Sequence, residues 1–320
     1  MPSLRAAQLR HASHYNGLLS ASGQMFRQGG EGVAGGLRLF DQNEGNIRAA
    51  WARASSYASD DARAAGLCSS FPGAGAHLFF LRQHPRERIH WLKAALHAAR
   101  RLEQRELEGR HAGNLGVACW ALGDTAGAVE YCELDLRIAR ELGDRVGESS
   151  ALNNLANAYY SAGDLRKAIE LYEQQLAITR EVADRQGEGV ALNNLGNAYG
   201  DLGETERSAG CYRQSLAIKR EVGDRQGEGN AVGNLGIACA EMGEYGRALR
   251  HYEQQLAITR ELGDRRGEGN ALFNASQALD RLGRRAEAIA HARAALRIRV
   301  EIEDPNAGKV RAALDEWGQA

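Results

Sequence analysis

The stretch GDRRGEGNALFN, residues 263–274, returns along the chain every 40 residues. Its final asparagine falls at Asn114, Asn154, Asn194, Asn234 and Asn274, and nine positions after each stands a glycine, Gly123, Gly163, Gly203, Gly243 and Gly283. The segment YEQQLAITR occurs twice unchanged, at 172–180 and 252–260. A stack of alike helical units explains this recurrence, because each unit buries its apolar face on the next.

Within the unit, the spacing predicts two helices. In the third clear unit they cover roughly 186–202 and 205–222. Gly203 stands between them, where a left-handed stop favours glycine. Glu204 and its counterparts Asp124, Asp164 and Glu244 follow that glycine, where a carboxylate favours a helix start. Gly143-Asp144, Gly223-Asp224 and Gly263-Asp264 repeat the arrangement between units.

On a helical wheel Ala191, Leu192, Leu195, Gly196, Ala198, Tyr199 and Leu202 form a packing face. Val190, Asn193, Asn194, Asn197 and Asp201 form the other face, which reads Ser150, Asn153, Asn154, Asn157 and Ser161 one unit earlier. Burial explains the first face. The second is unexpected, since asparagine is a poor helix former and exposed helix positions usually take longer polar residues. In the second helix Ala168, Tyr172, Leu176 and Ile178 recur as Ser208, Tyr212, Leu216 and Ile218. Small residues such as Gly196 let the paired helices approach, and the tyrosines fill the space left.

This pattern resembles the tetratricopeptide repeat family, through Leu195, Gly196, Tyr199, Ser208 and Tyr212 and, one unit earlier, Leu155, Ala156, Tyr159, Ala168 and Tyr172. The usual unit of that family is 34 residues. The longer unit with its G-D-R-x-G-E-G link resembles the variant of Pins/LGN polarity scaffolds and of many bacterial regulators. The resemblance implies an all-α fold, a right-handed α-α superhelix. Five units are expected at 105–142, 145–182, 185–222, 225–262 and 265–302, with a degenerate one at 62–101. The expected organisation is a helical cap or linker at 1–61, a solenoid at 62–304 and a capping helix at 305–320. In the first region helical patterns appear near 3–20 and 37–57, and the glycine-rich SGQMFRQGGEGVAGG between them reads as a loop. The segment LRLFDQNEGNIRAAWARA resembles the helical region that follows the nucleotide-binding part of bacterial STAND ATPases of the NB-ARC type. No G-x-x-x-x-G-K-[ST] occurs, so the chain carries no phosphate-binding loop of that kind.

Composition narrows the function. The formal net charge of -1 gives no global bias toward nucleic acid or anionic membrane. The opening residues have no apolar core of signal-peptide length, and the apolar run AHLFFL is too short to span a bilayer. Five scattered cysteines without a C-x-x-C pair suit a reducing, cytoplasmic setting. Only four of the 40 basic residues are lysine, and this arginine- and alanine-rich usage suits a GC-rich bacterial genome. The histidines show no converging metal-ligand spacing. Cys119, Cys132, Cys211 and Cys239 read as substitutions of packing residues. The glycines of GDRQGEG read as helix-junction residues, with Gly187 and Gly189 offset by close approach of helices between units. The repeated Glu148, Glu188, Glu228 and Glu268, with Arg145, Arg185, Arg225 and Arg265, read as inter-repeat ion pairs or solvated rims. No nucleophile-base set stands out, so an enzyme is not expected, and neither a cofactor nor a metal is.

The asparagine face is the candidate site. Side-chain amides offer donors and acceptors together and, stacked one per repeat, can hold an extended peptide by its backbone. The opposing reading is that they bond to one another and order the inner wall. The expected peptide-binding residues are Asn114, Asn153, Asn154, Asn157, Asn193, Asn194, Asn197, Asn234 and Asn274. Trp120, Tyr160 and Phe273 are added as aromatic anchors, and Arg110 and Arg281 as charges toward opposite ends. In tetratricopeptide proteins the concave groove is the usual peptide site, which the resemblance implies here. The expected function is a protein-protein interaction scaffold for a peptide or helix of a partner. The alternative is a ligand-sensing regulatory module of a STAND-type signalling or defence system, with a STAND ATPase or effector as partner.

Overall fold

The computed structural model describes residues 3–318, and among these every regular element is an α-helix. Two compact units divide the chain, Met1–Asp164 and Leu165–Ala320. No single helix among the described residues is long and apolar enough to cross a membrane.

The first unit holds α1 (Leu4–Arg27), α2 (Glu31–Tyr57), α3 (Ala62–Ala74), α4 (Ala76–Arg82), α5 (Pro85–Arg101), α6 (Arg105–Ala121), α7 (Thr125–Leu142) and α8 (Arg145–Ser161). The glycine-rich stretch expected as a loop is mostly helical, and only residues 28–30 interrupt it. Gly29 and Gly30 turn the chain with φ of 74° and 52°. The remaining glycines serve packing: a Cβ at Gly32 would lie 2.5 Å from the Met25 carbonyl oxygen, and one at Gly36 2.6 Å from that of Ser22. Glycine lets α2 lie directly on the α1 backbone, an effect the loop reading missed. In the stretch expected as a degenerate unit, 62–101, the chain forms α3, α4 and α5, and α3 and α4 bend by 68°. The core beneath is aromatic. Trp51 and Trp91 stack with centroids 4.4 Å apart, and Phe71 and Phe79 meet Trp91 edge-on.

The second unit holds α9 (Leu165–Glu181), α10 (Arg185–Asp201), α11 (Thr205–Glu221), α12 (Arg225–Glu241), α13 (Tyr245–Leu262), α14 (Arg265–Arg281), α15 (Arg285–Glu301) and α16 (Ala307–Glu316). The packing face is buried as expected, except that Leu202 is 38% exposed at the helix end. Tyr212 lies against Gly196, where an added Cβ would stand 2.5 Å from its ring. Cys119, Cys132 and Cys239 are buried and Cys211 is half-buried.

The helix starts explain the link sequence. Asp144, Asp184, Asp224 and Asp264 each accept the backbone N–H three residues on, at 2.9, 2.9, 2.8 and 2.9 Å. A Cβ at Gly187 would meet both the capping Asp184 carboxylate and, 2.9 Å away, the Thr179 methyl of the preceding unit, so this glycine answers the cap and the close approach between units together. Gly189 does answer close approach, but to Ile218 and Lys219 of its own unit. Glu204 and Glu244 make no side-chain cap. They pair instead with Arg207 and Arg247, at 2.5 and 2.6 Å.

The repeated glutamates are not solvated rims. Glu188 is 7% exposed. It accepts from Arg180 at 2.8 Å and from Arg185, and Arg185 reaches on to Glu221 at 2.5 Å. Glu228 repeats this with Arg220 and Arg225, and Glu268 with Arg260 and Arg265. Each buried carboxylate therefore ties the end of one helix pair to the start of the next. Burial pushes the Glu188, Glu228 and Glu268 carboxyls up, but the guanidinium hydrogen bonds outweigh it and hold all three below the usual carboxylate range.

Candidate functional site: the amide face of the first helices

The asparagines project from α6, α8, α10, α12 and α14 at one position per repeat because the 40-residue period returns each to the same helical angle. Asn114 is exposed, and Asn153, Asn154, Asn157, Asn193, Asn194, Asn197, Asn234 and Asn274 are half-buried.

In the second unit part of this face is bonded to itself. Asn234 Nδ2 donates toward Asn193 Oδ1 at 3.3 Å and Asn197 Oδ1 at 3.4 Å. The Tyr212 hydroxyl donates to the same Asn197 oxygen at 2.8 Å. These amides order the wall of their unit. Asn153, Asn157 and Asn194 also have partners. By contrast, no described residue hydrogen-bonds the side chains of Asn114, Asn154 or Asn274, whose amides keep their donor and acceptor capacity.

In the first unit Asn114 and Asn154 line one cavity of about 240 Å³, together with Arg110, Ser150 and Asp135. Arg110 is paired with Glu106 at 2.7 Å. Asn114 also borders a cavity of about 380 Å³ with Asn16 and His111, and an apolar one of about 100 Å³ with Phe79, Phe80 and Trp91. His111 accepts from or donates to Ser69 Oγ at 3.0 Å, and burial, helped by Arg110, drops its pKa to about 4, so it is neutral at pH 7. Phe80 is 66% exposed, with the Arg88 guanidinium over its ring. Phe79, Phe80 and Asp135 were missed in the sequence, because none belongs to the repeating face.

The expected anchors separate. Trp120 is 47% exposed and donates its indole N–H to Ser161 Oγ at 2.7 Å. Tyr160 is half-buried. Phe273 packs against the cluster of Leu272, Ile298 and Leu314 with the Arg299 guanidinium 5.4 Å from its ring, so it is part of a core edge as much as a free anchor. Arg281 is exposed.

A chain of paired helices at fixed period, with polar first-helix faces and buried tyrosines between the pairs, defines the class of helical-repeat interaction proteins. The tetratricopeptide repeat profile matches residues 107–181, 147–221 and 228–299, more than half of the chain, and the chain belongs to that family. None of the curated proteins matches it in sequence. Among solved structures it is similar to BtubC (BKLC) from P. vanneervenii, at 23% identity and TM-score 0.63, over 69% of this chain and 93% of that one. It is also similar to a Signal Transduction ATPase with Numerous Domains with a tetratricopeptide repeat sensor from Pyrococcus horikoshii. That likeness has 17% identity and TM-score 0.60, over 98% of this chain and 53% of that one. Aspartyl phosphate phosphatase F from Bacillus subtilis is similar at 11% identity and TM-score 0.66, over 100% of this chain and 96% of that one. These likenesses establish the fold, which is of the kind that generally serves protein–protein interaction.

Proposed function

We propose that the chain is an interaction scaffold that holds an extended segment of a partner protein along the first-helix face of its repeats. The observation carrying this is that Asn114 and Asn154 border one cavity in the first unit with no described residue bonding either side chain. An amide so placed answers a peptide backbone N–H and C=O together, which gives affinity with little demand on sequence. Asn193, Asn197 and Asn234 act as the brace of the face, and the exposed Trp120 is the aromatic anchor nearest to it in sequence. In this reading residues 1–61 cap the solenoid at 62–304, and 305–320 close it.

The second reading is a sensor module whose occupancy controls a STAND-type ATPase or another effector in the cytoplasm of a bacterium. Its support is the likeness to the sensor-bearing STAND protein, which extends over 98% of this chain and so includes α1 and α2. The two readings share a binding face and differ in consequence.

The test is capture of partner from host lysate on immobilised chain, followed by peptide mapping. The double variant Asn114→Ala and Asn154→Ala loses capture while its unfolding free energy moves by less than about 0.5 kcal/mol per site. Asn197→Ala, which removes the acceptor of Tyr212 and Asn234, instead lowers stability by about 1 kcal/mol. Capture undiminished in the double variant defeats the proposal.

A further inference from the structure

Asp135 stands where the later second helices carry Gln175, Ser215, Gln255 and Ala295. In α11, Ser215 settles its polar group by donating to the Gly189 carbonyl at 2.8 Å. In α13, Gln255 lies across Gly233, where an added Cβ would fall 2.3 Å from its Nε2. Asp135 lies across Gly113 in the same manner, with Oδ2 2.3 Å from an added Cβ there, but it brings a carboxylate in place of an amide. No described residue donates a hydrogen bond to it. It lines the cavity of about 240 Å³ that Asn114 and Asn154 also border.

The charge around that cavity is one-sided. From α6 it receives Glu106 and Arg110, which neutralise each other at 2.7 Å. From the start of α8 it receives Asp144, whose Oδ1 is occupied by the Gly147 N–H at 2.9 Å. Asp135 is left without a counter-ion, and Ile138 and Leu142 add an apolar wall beside it. Burial, with Asp144 adding to it, raises the Asp135 carboxyl to about 7. Among the described residues no group of three ligating side chains is arranged for a metal ion. A charged head with an alkyl stem matches both walls, and a monovalent organic cation matches the lone carboxylate.

We propose that this cavity receives a basic side chain of the bound peptide, a lysine ammonium or arginine guanidinium, with Asp135 as its counter-ion. The inference rests on the amide-face reading and adds the residue class that gives the otherwise permissive face its specificity.

The experiment uses the full chain and three small probes: n-butylammonium, n-butylguanidinium and the neutral isostere n-butylurea. Amide resonances of Gly109 and Gly113 are followed by NMR at pH 7.8. Both cations give saturable shifts, and butylurea binds at least tenfold more weakly. Asp135→Gln, which installs the residue found at 175 and 255, keeps the thermal transition and abolishes the response. Equal response to butylurea, a response retained in Asp135→Gln, or no saturable shift each overturns the assignment. In a parallel arm a random-peptide display library is selected on the chain. Enrichment of lysine or arginine at one position, lost with Asp135→Gln, supports the proposal. Selected peptides that need Asn114 and Asn154 but show no basic preference overturn it and leave the amide-face reading standing. Cation binding without a basic preference overturns the peptide assignment in favour of a free amine.

Discussion

At the residue scale, the same backbone position is treated differently from repeat to repeat. The link residue ahead of each capping aspartate is left-handed: Gly143, Gly223 and Gly263 have φ of 66°, 72° and 67°. Ala183 occupies the equivalent place with φ of 56°, where its Cβ is strained against the backbone. Ala183→Gly is therefore expected to raise the unfolding free energy by about 0.5–1 kcal/mol, the relief of left-handed strain less glycine's extra chain entropy. Urea unfolding checks the sign, and a loss of stability would mean that the alanine side chain contributes packing that outweighs its strain. The asparagines teach a related lesson. Asn154, Asn194 and Asn234 are identical in sequence register, yet Asn234 is engaged with Asn193 and Asn197 while no described residue bonds Asn154. Position on the wheel was legible in the sequence. Whether an amide was already used was not, because that depends on side chains about one repeat away.

At the element scale, buried carboxylates join the ends of successive helix pairs, beside the apolar contact of Tyr212 and Leu216 with Ala231 and Leu235. Glu228 is 9% exposed, while its partners Arg220 and Arg225 keep about half their side-chain surface in water. Replacing it leaves two guanidiniums that can hydrate, so the loss is moderate. Glu228→Gln is expected to cost about 1–2 kcal/mol at pH 7. The pH dependence has a definite sign. A carboxyl held lower in the folded than in the unfolded chain stabilises above the unfolded value, about 4.3, and loses that contribution as pH falls through the folded value. The difference between wild type and variant should thus be full at pH 7 and shrink below about pH 4. A difference independent of pH, by urea titration at both ends of that range, would assign the effect to packing. The link G-D-R-x-G-E-G was legible as a junction, but the burial of its glutamate was not. Charged residues at a helix start usually face water, and it is the arginine closing the preceding unit, together with the one opening the glutamate's own helix, that makes burial tolerable.

At the scale of the whole molecule, stability should be close to a sum of terms between neighbouring repeats. The C-terminal end illustrates this. Val310 and Leu314 of α16 are buried against Leu272, Ala292, Ala295 and Ile298. Deleting residues 305–320 exposes that cluster and is expected to cost on the order of 3 kcal/mol. The loss should be local, with amide exchange accelerating in α14 and α15 while α10 and α11 keep their protection. Uniform acceleration across the second unit would show a cooperative block in place of a nearest-neighbour array.

The amino-acid sequence alone determined the period, the paired helices, their stops and starts, and the family, since helix propensity, capping and amphipathic phase act over a few residues and repeat faithfully. Tertiary structure alone decided which asparagines are engaged, why the early glycines sit inside helices, and that Asp135 lies unneutralised in a cavity. Those outcomes depend on distances of a few ångströms between residues on different helices, from Gly32 and Met25 to Asn193 and Asn234, and a single changed side chain alters them without disturbing the period.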